Sequence, residues 1–352
     1  MMTRKKRQKR QIIPGLAFSN ETVLRPVDER DRMIRELADS DATLNICLTN
    51  DFAFKTAFRN KKALTGLLSA LLDMDPQQIA DLEFPDTFVR GDYPEDREGI
   101  LDIKVHLNSQ KKINLEMQLL SFPYWEERSL FYLCRMFLED IKKGEGYRML
   151  EECIHISILG FHLEQADRFY ERVRLMKESG KVYSDKLGLR MLYLNQLEKV
   201  SEEEKDSDVY HWAKLISSKD WEVLTNMAKT NEYMQAAVDE LEKINLDKAL
   251  RYEYLRREMQ ASDETTIREY YTELGEKKGR EAGRIEGREA GREAGRIEGR
   301  KAGRTEGEEL FADLTSRLIR DSRTDDLLRA ANDKAFRSSL YLEYGIKAED
   351  DI

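Results

Sequence analysis

The sequence predicts a mixed α/β domain followed by helical appendages, and three stretches carry that prediction. Residues 99–120, "GILDIKVHLNSQKKINLEMQLL", contain two runs in which apolar and polar side chains alternate, the period-two signature of paired strands. Leu64, Leu67, Leu68, Leu71 and Leu72 recur at the spacing of a helix with one buried face. "CIHISILGF", residues 153–161, is a nearly continuous β-branched apolar run, as expected of a strand covered on both sides.

Composition bounds the rest. A chain of 352 residues with 40% hydrophobic content can hold one core of ordinary size plus smaller units. A net charge of -9 with 36% charged residues excludes a general polyanion binder, so any nucleic-acid contact must come from local patches. No apolar run approaches the ~18 residues of a membrane helix. Cys47, Cys134 and Cys153 lie far apart without a CxxC pair, which argues against a disulfide framework and against structural zinc. The expectation is a soluble cytoplasmic protein with reduced thiols and no membrane partner.

Residues 1–44 lack a sustained period and are expected to form a basic, largely disordered arm, with at most a short helix around Arg30 to Leu37. Arg4, Lys5, Lys6, Arg7, Lys9 and Arg10 crowd its start, and no apolar stretch of signal-peptide length follows them. Such an arm is either simply solvated or brushes phosphates. The folded part, residues 45–200, opens with a helix in which Phe54 and Phe58 stand four apart, continues through the leucine stripe, and starts a second short helix with Asp75 as cap and Pro76 at its first position. The turn-rich "RGDYPEDREG" then leads into the strand pair.

In that pair Leu101, Ile103, Val105 and Leu107 share one face with Ile113, Leu115, Met117 and Leu119. Asp102, Lys104, His106, Asn114, Glu116 and Gln118 take the other. The short polar "NSQKK" between the runs makes an antiparallel hairpin the economical connection. If Leu107 faces Ile113, Asp102 faces Gln118 and is diagonal to Glu116; a two-residue slip exchanges those partners without changing faces. A helix of about 18 residues should follow, with Pro123 near its start and Gly144 at its end. On it Arg128, Tyr132 and Arg135 form a polar stripe. Strands are expected again at 169–176 and 188–195, separated by the turn signals "ESGK" and "DKLG".

Residues 201–270 read as a charged helical region anchored by Trp212, Leu215, Trp221 and Leu224. In residues 271–308 glycines stand every fourth residue through to Gly307, within "GREAGRIEGREAGREAGRIEGR" and its flanks; the row itself begins at Gly275. On an α-helix a period of four drifts by about 40° per repeat, so the row leaves no lasting apolar seam. Each glycine costs about 1 kcal/mol relative to alanine, so a fraying helix acting as a tether is expected. Residues 309–352, with Leu314, Leu318, Ile319, Leu327 and Leu328, should form two short amphipathic helices.

Asp102, Glu116 and Gln118 are the candidate chemistry. Two carboxylates beside an amide suit Mg²⁺, which prefers one or two carboxylates together with waters and phosphate oxygens. The competing interpretation is the solvated face of a half-exposed hairpin.

The blocks "LTNDFAFKTAF", "GILDIKV", "INLEMQLL", "YWEERSLFYLCRMF" and "GEGYRMLEECIHISILGF" together resemble the bacterial Rpn family, recombination-promoting nucleases also labelled transposases, within the PD-(D/E)XK nuclease superfamily. The resemblance covers roughly residues 45 to 200. It implies a restriction-endonuclease-like α-β-β-β-α-β core with C-terminal helical appendages, and a DNA endonuclease that uses Mg²⁺ or Mn²⁺ and promotes recombination. Carried over, Asp102 and Glu116 are the catalytic acids and metal ligands. Gln118 occupies the position where the wider superfamily carries lysine; glutamine orients water but supplies no positive charge. Asp51 and Lys55, one helical turn apart in the first block, extend the site, or Asp51 caps the helix. Arg128 and Arg135 contact DNA phosphates or line a solvated helix face. His106, alone on the acid face, reads as incidental. DNA is the implied partner, and a homo-oligomer is compatible with the reading. The alternative class is a catalytically weak or inactive nuclease-fold protein that acts as a DNA-binding or assembly module.

Overall fold

In the computed structural model of the chain, the described residues are 12–13, 25–79, 81–89, 99–108, 110–139, 141–164 and 166–346. The basic cluster from Arg4 to Arg10 lies outside them, as does most of "RGDYPEDREG". Two units are distinguished, Met1–Arg268 and Glu269–Ile352.

The first unit is built on a six-stranded mixed sheet. Its strands are Leu82–Glu83 (β1), Ile103–Leu107 (β2), Lys111–Gln118 (β3), Glu152–Leu159 (β4), Tyr170–Met176 (β5) and Val182–Tyr193 (β6). The spatial order is β1-β2-β3-β4-β6-β5. β4 lies parallel to both β3 and β6, and the other neighbours are antiparallel. Two-residue ladders join Ile12–Ile13 to Thr43–Leu44 and Phe88–Val89 to Gly99–Ile100.

The two faces of this sheet differ in chemistry. Ile103, Val105, Leu107, Ile113, Leu115, Ile154, Ile156 and Ile158 enter one large apolar core with the helices Asp51–Phe58 (α2) and Lys61–Leu72 (α3). Their burial is what drives the hairpin to form, at about 25 cal/mol per Å² of apolar surface removed from water. The other face is covered by Trp125–Leu138 (α4). Small apolar clusters around Trp125 and Leu159, and around Leu133, Met136 and Cys153, hold that helix down. Along β4, Cys153 and Leu159 belong to those clusters while His155 and Ser157, between them on the same face, are polar and fully buried.

Several expectations need correction. The N-terminal segment contains a full helix, Val27–Asp39 (α1), whose Ile34 and Ala38 are buried in the main core and whose Arg30 donates to both Asp263 oxygens at 2.8 Å. α4 has 14 residues rather than about 18. Past its end, the Glu139 carboxylate accepts from the Lys104 ammonium at 2.7 Å, and Gly144 serves a later turn at φ +95°. "DKLG" is no turn: it lies inside β6, where the ladder with β5 shifts register between Ser184 and Gly188. The Asp75 cap with Pro76 is present, but on a single 3-10 turn, Pro76–Gln78, closed by a capping box with Gln78.

Residues 208–246 form Asp208–Ser217 (α5), Trp221–Ala228 (α6) and Glu232–Leu246 (α7). They share the core of the sheet: Trp212, Leu215, Leu224, Ala237 and Leu241 pack in the cluster that holds Phe54, Phe58 and Leu64. Gly66 makes this possible, because a Cβ there would meet the Tyr233 Cβ at 2.2 Å.

Lys248–Arg320 (α8) is one unbroken helix that includes the whole glycine repeat. Arg–Glu pairs three and four residues apart, such as Glu281–Arg284 and Glu293–Arg296 at 2.7 Å, support it by about 0.2–0.5 kcal/mol each. In the second unit Leu314 and Leu318, at the end of α8, pack with Thr324–Asn332 (α9) and Lys334–Glu343 (α10) through Ala330 and Leu340. Ile319 and Leu328, expected on the apolar faces, are exposed.

Candidate active site

The hairpin register differs by two residues from the simplest pairing. Leu107 pairs with Lys111 and Ile103 with Leu115, so the ladder extended by one step puts Asp102 level with Glu116 rather than Gln118. Glu116 stays on the α4 face, as alternation requires, whereas Asp102 lies beyond the end of the ladder, within reach of α2. Asp102 lies just before β2, where the pairing has ended, and its carboxylate replaces the missing ladder bond: Oδ2 accepts from the Met117 backbone N–H at 3.1 Å.

The other Asp102 oxygen, Oδ1, lies 3.0 Å from the Lys55 ammonium, which also reaches Asp51 Oδ1 at 2.7 Å. Lys55 gets there because α2 begins at Asp51, with Asn50 as cap: the Asn50 side-chain oxygen accepts from the N–H groups of Phe52 and Ala53. Asp51 is therefore not the cap; it occupies the first helical position, one turn before Lys55. Burial works against the Lys55 charge, but Asp102 and Asp51 outweigh it and hold its pKa above the usual lysine value.

Glu116 is 3% exposed. Its Oε1 accepts from the Arg128 guanidinium at 2.7 Å and its Oε2 from the Asn114 amide at 3.4 Å. Desolvation pushes its pKa up to about 7; Arg128 pulls down, and the nearby Asp102 charge pushes further up. The structure thus brings Asp102, Glu116, Lys55 and Asp51 into one charge network. Gln118, half-buried, shares the Glu116 side of β3, but its amide donates to the Leu120 carbonyl at 3.0 Å. Arg128 is committed to Glu116 and stacks near Phe122, Trp125 and Tyr132, with centroid distances of 5.2–5.4 Å. Arg135, further along α4, lies over Phe131. His106 pairs with Glu151 at 2.7 Å.

The sequence reading does not single out Asn114, His155 or Ser157 as a group. They surround Glu116 from behind: Asn114 lies opposite His155 and Glu116 opposite Ser157 in the β3–β4 ladder. The Asn114 amide and His155 Nδ1 are 2.8 Å apart. Burial and the Arg128 charge lower the His155 pKa to about 3, so the ring is neutral. The other ring nitrogen, Nε2, points away from this contact. That nitrogen, Asn114 Oδ1, Ser157 Oγ and Trp125 Nε1 are buried without a hydrogen-bond partner among the described residues. The signal for this group is the period-two placement of His155 and Ser157 inside an otherwise apolar strand.

Asp102, just before β2, and Glu116, on β3, offer hard oxygens. No group of three or more His, Cys, Asp or Glu side chains suited to a metal occurs among the described residues. A two-carboxylate donor set fits Mg²⁺, which completes its shell with water and phosphate oxygens, and it fits Zn²⁺ poorly.

Residues 48–270 match the family model described as PD-(D/E)XK nuclease family transposase. Neither the comparison with curated proteins nor that with solved structures returns a match. No helix among the described residues is long and apolar enough to cross a membrane.

Proposed function

The chain belongs to the PD-(D/E)XK nuclease family transposases, and on that premise we propose that it is a divalent-metal-dependent DNA endonuclease that hydrolyses phosphodiester bonds and promotes DNA recombination. The observation that carries this reading is that Asp102, immediately before β2, comes level with Glu116 of the adjacent β3 when the hairpin ladder is extended by one step. Asp102 and Glu116 hold Mg²⁺ or Mn²⁺. The bound ion supplies charge stabilisation to the phosphodiester and lowers the pKa of a water.

The chain's own groups do the rest. Lys55 remains charged at neutral pH and provides next to Asp102 the positive charge that Gln118 does not. Gln118 keeps its carboxamide oxygen to orient the attacking water. Asn114 holds Glu116 from behind, and Arg128 and Arg135 would contact phosphates of the incoming backbone, Arg128 from its place beside Glu116. This reading places the protein in the cytoplasm, acting on DNA.

One observation favours a second reading. Both acids are already neutralised by protein cations, Asp102 by Lys55 at 3.0 Å and Glu116 by Arg128 at 2.7 Å. Such closed pairs suit a nuclease-fold module that binds DNA or assembles without cutting it. Plasmid nicking with Mg²⁺ and with EDTA separates the two: metal-dependent nicking is expected, nicking absent under both conditions would hand the case to the binding module, and nicking equal in EDTA would overturn the metal-dependent reading.

A further inference from the structure

A cavity of 310 Å³ lies at the other end of β3 from the acids, lined among others by Lys111, Glu152, Arg174, Asp185, Gly188 and Arg190. Lys111 opens β3 and shares the face of Ile113 and Leu115, opposite to that of Glu116. Five residues of strand separate the two positions, about 16 Å at 3.3 Å per residue.

Arg190 is the unusual member of this lining. It is 9% exposed, yet among the described residues no carboxylate lies within ion-pair distance of its guanidinium. Its Nη1 donates only to the carbonyl of the preceding Leu189, and its Nε is buried without a partner. Directly across the ladder stands Arg172, and Arg174 lies opposite Gly188. Gly188 leaves open the space beside Arg190, since a Cβ there would stand 3.4 Å from Nη1.

A guanidinium removed from water without an anionic partner is costly, and more so beside two others. Of the carboxylates in the lining, Glu152 is engaged by Lys111 at 2.6 Å. Arg190 therefore feels Glu152 only at longer range, without an ion pair, and the other lining carboxylate, Asp185, is exposed. Burial lowers the Arg190 pKa without discharging a group that ordinarily titrates above 12. The planar fork of arginine matches two oxygens of a phosphate at once.

We propose that this cavity is a binding site for a small phosphate-bearing anion, gripped by Arg190 at its base and by Arg174 at its rim. Its volume sits at the low end of the ~300–1,000 Å³ of ligand pockets, enough for a phosphate carrying one small organic group. Because it opens on the sheet face opposite Glu116 and at the far end of β3, the ligand is a free anion and not the backbone of a duplex held at Asp102 and Glu116.

Calorimetric titration of the full chain with inorganic phosphate and with a nucleoside monophosphate, at fixed ionic strength, tests this. Both should bind, and the arm with the greater affinity identifies the source of the phosphate. Arg190→Gln should weaken binding by about tenfold or more, the loss expected for a charge-assisted bidentate contact. Arg174→Ala, at an exposed position where folding is not at stake, should weaken it by a smaller factor. Absence of binding to the wild type, or binding unchanged in both variants, overturns the proposal. So does displacement of a short duplex from the wild type by phosphate at constant ionic strength, because the cavity would then belong to the DNA track. None of these readouts needs nuclease activity, so failure here leaves the endonuclease reading untouched.

Discussion

The Lys55 ammonium stands 3.0 Å from Asp102 Oδ1, although the two residues come from different elements and are far apart in the sequence. On the proposed reading, the cation missing from the strand position Gln118 is supplied from α2. Lys55→Met should lower the Mg²⁺-dependent cleavage rate by about 100-fold, the scale of removing one preorganised charge donor, while circular dichroism stays unchanged. Adding Gln118→Lys to Lys55→Met should recover part of that loss. If the single variant cuts at the wild-type rate, Lys55 is only a structural partner of Asp51.

Asp102→Ala and Glu116→Ala should each abolish metal-dependent nicking, because a two-carboxylate site loses half its protein ligands in either. Their thermal consequences should differ. Asp102→Ala frees the Met117 N–H at a half-buried edge, a loss of about 1 kcal/mol. Glu116→Ala leaves Arg128 facing a buried cavity, a larger penalty of about 3 kcal/mol. Full nicking by Asp102→Ala would move the site elsewhere.

Alternation alone was enough to read the strand pair and to put Asp102 and Glu116 on one face, because period two survives any even register slip. The register itself was not legible: it depends on how Leu107 meets Lys111 at the turn, and "NSQKK" fits more than one loop. The association of residues 208–246 with the main core was also hidden, since their charge density suggests a separate appendage. Only the close approach at Gly66 and the Phe58–Trp212 contact, with rings 5.9 Å apart, reveal that one core is shared. The same holds for the cation at the acids. Lys55 is visible in the first block, but nothing in its spacing from Asp51 says that it reaches across to β2.

The Glu116 carboxyl gives a signed pH dependence in metal-free protein. Its folded pKa is raised from 4.5 to about 7. Below pH 4.5 both folded and unfolded forms are protonated there, and the group has no effect on stability. As pH rises towards 7 the unfolded chain loses the proton that the folded one keeps, so stability falls by up to about 1.4 kcal/mol per pH unit, on the order of 3 kcal/mol in total. Urea denaturation in EDTA across pH 4.5–7.5 should show this contribution in the wild type and not in Glu116→Gln. The slope is the informative quantity, because the Glu116→Gln change also deprives Arg128 of its ion-pair partner. A wild-type slope no more negative than that of the variant would mean that the Arg128 pair, not desolvation, governs Glu116.

The glycine repeat gives the last prediction. From Gly275 to Gly307 every glycine is exposed, and a Cβ at any of them would meet no neighbouring atom. No packing therefore demands glycine there, and none is lost when a four-residue unit is removed. Deleting one unit, such as Arg288–Gly291, rotates everything beyond it by about 40° and shortens the helix by about 6 Å, which leaves the core of neither unit altered. Nicking activity and the thermal transition of the first unit should match the wild type. Replacing the nine glycines by alanine should instead raise helix stability by about 1 kcal/mol per exposed position, visible as increased helical signal at elevated temperature. A deletion that lowers the first unit's transition would mean that the repeat is held by contacts beyond its own helix.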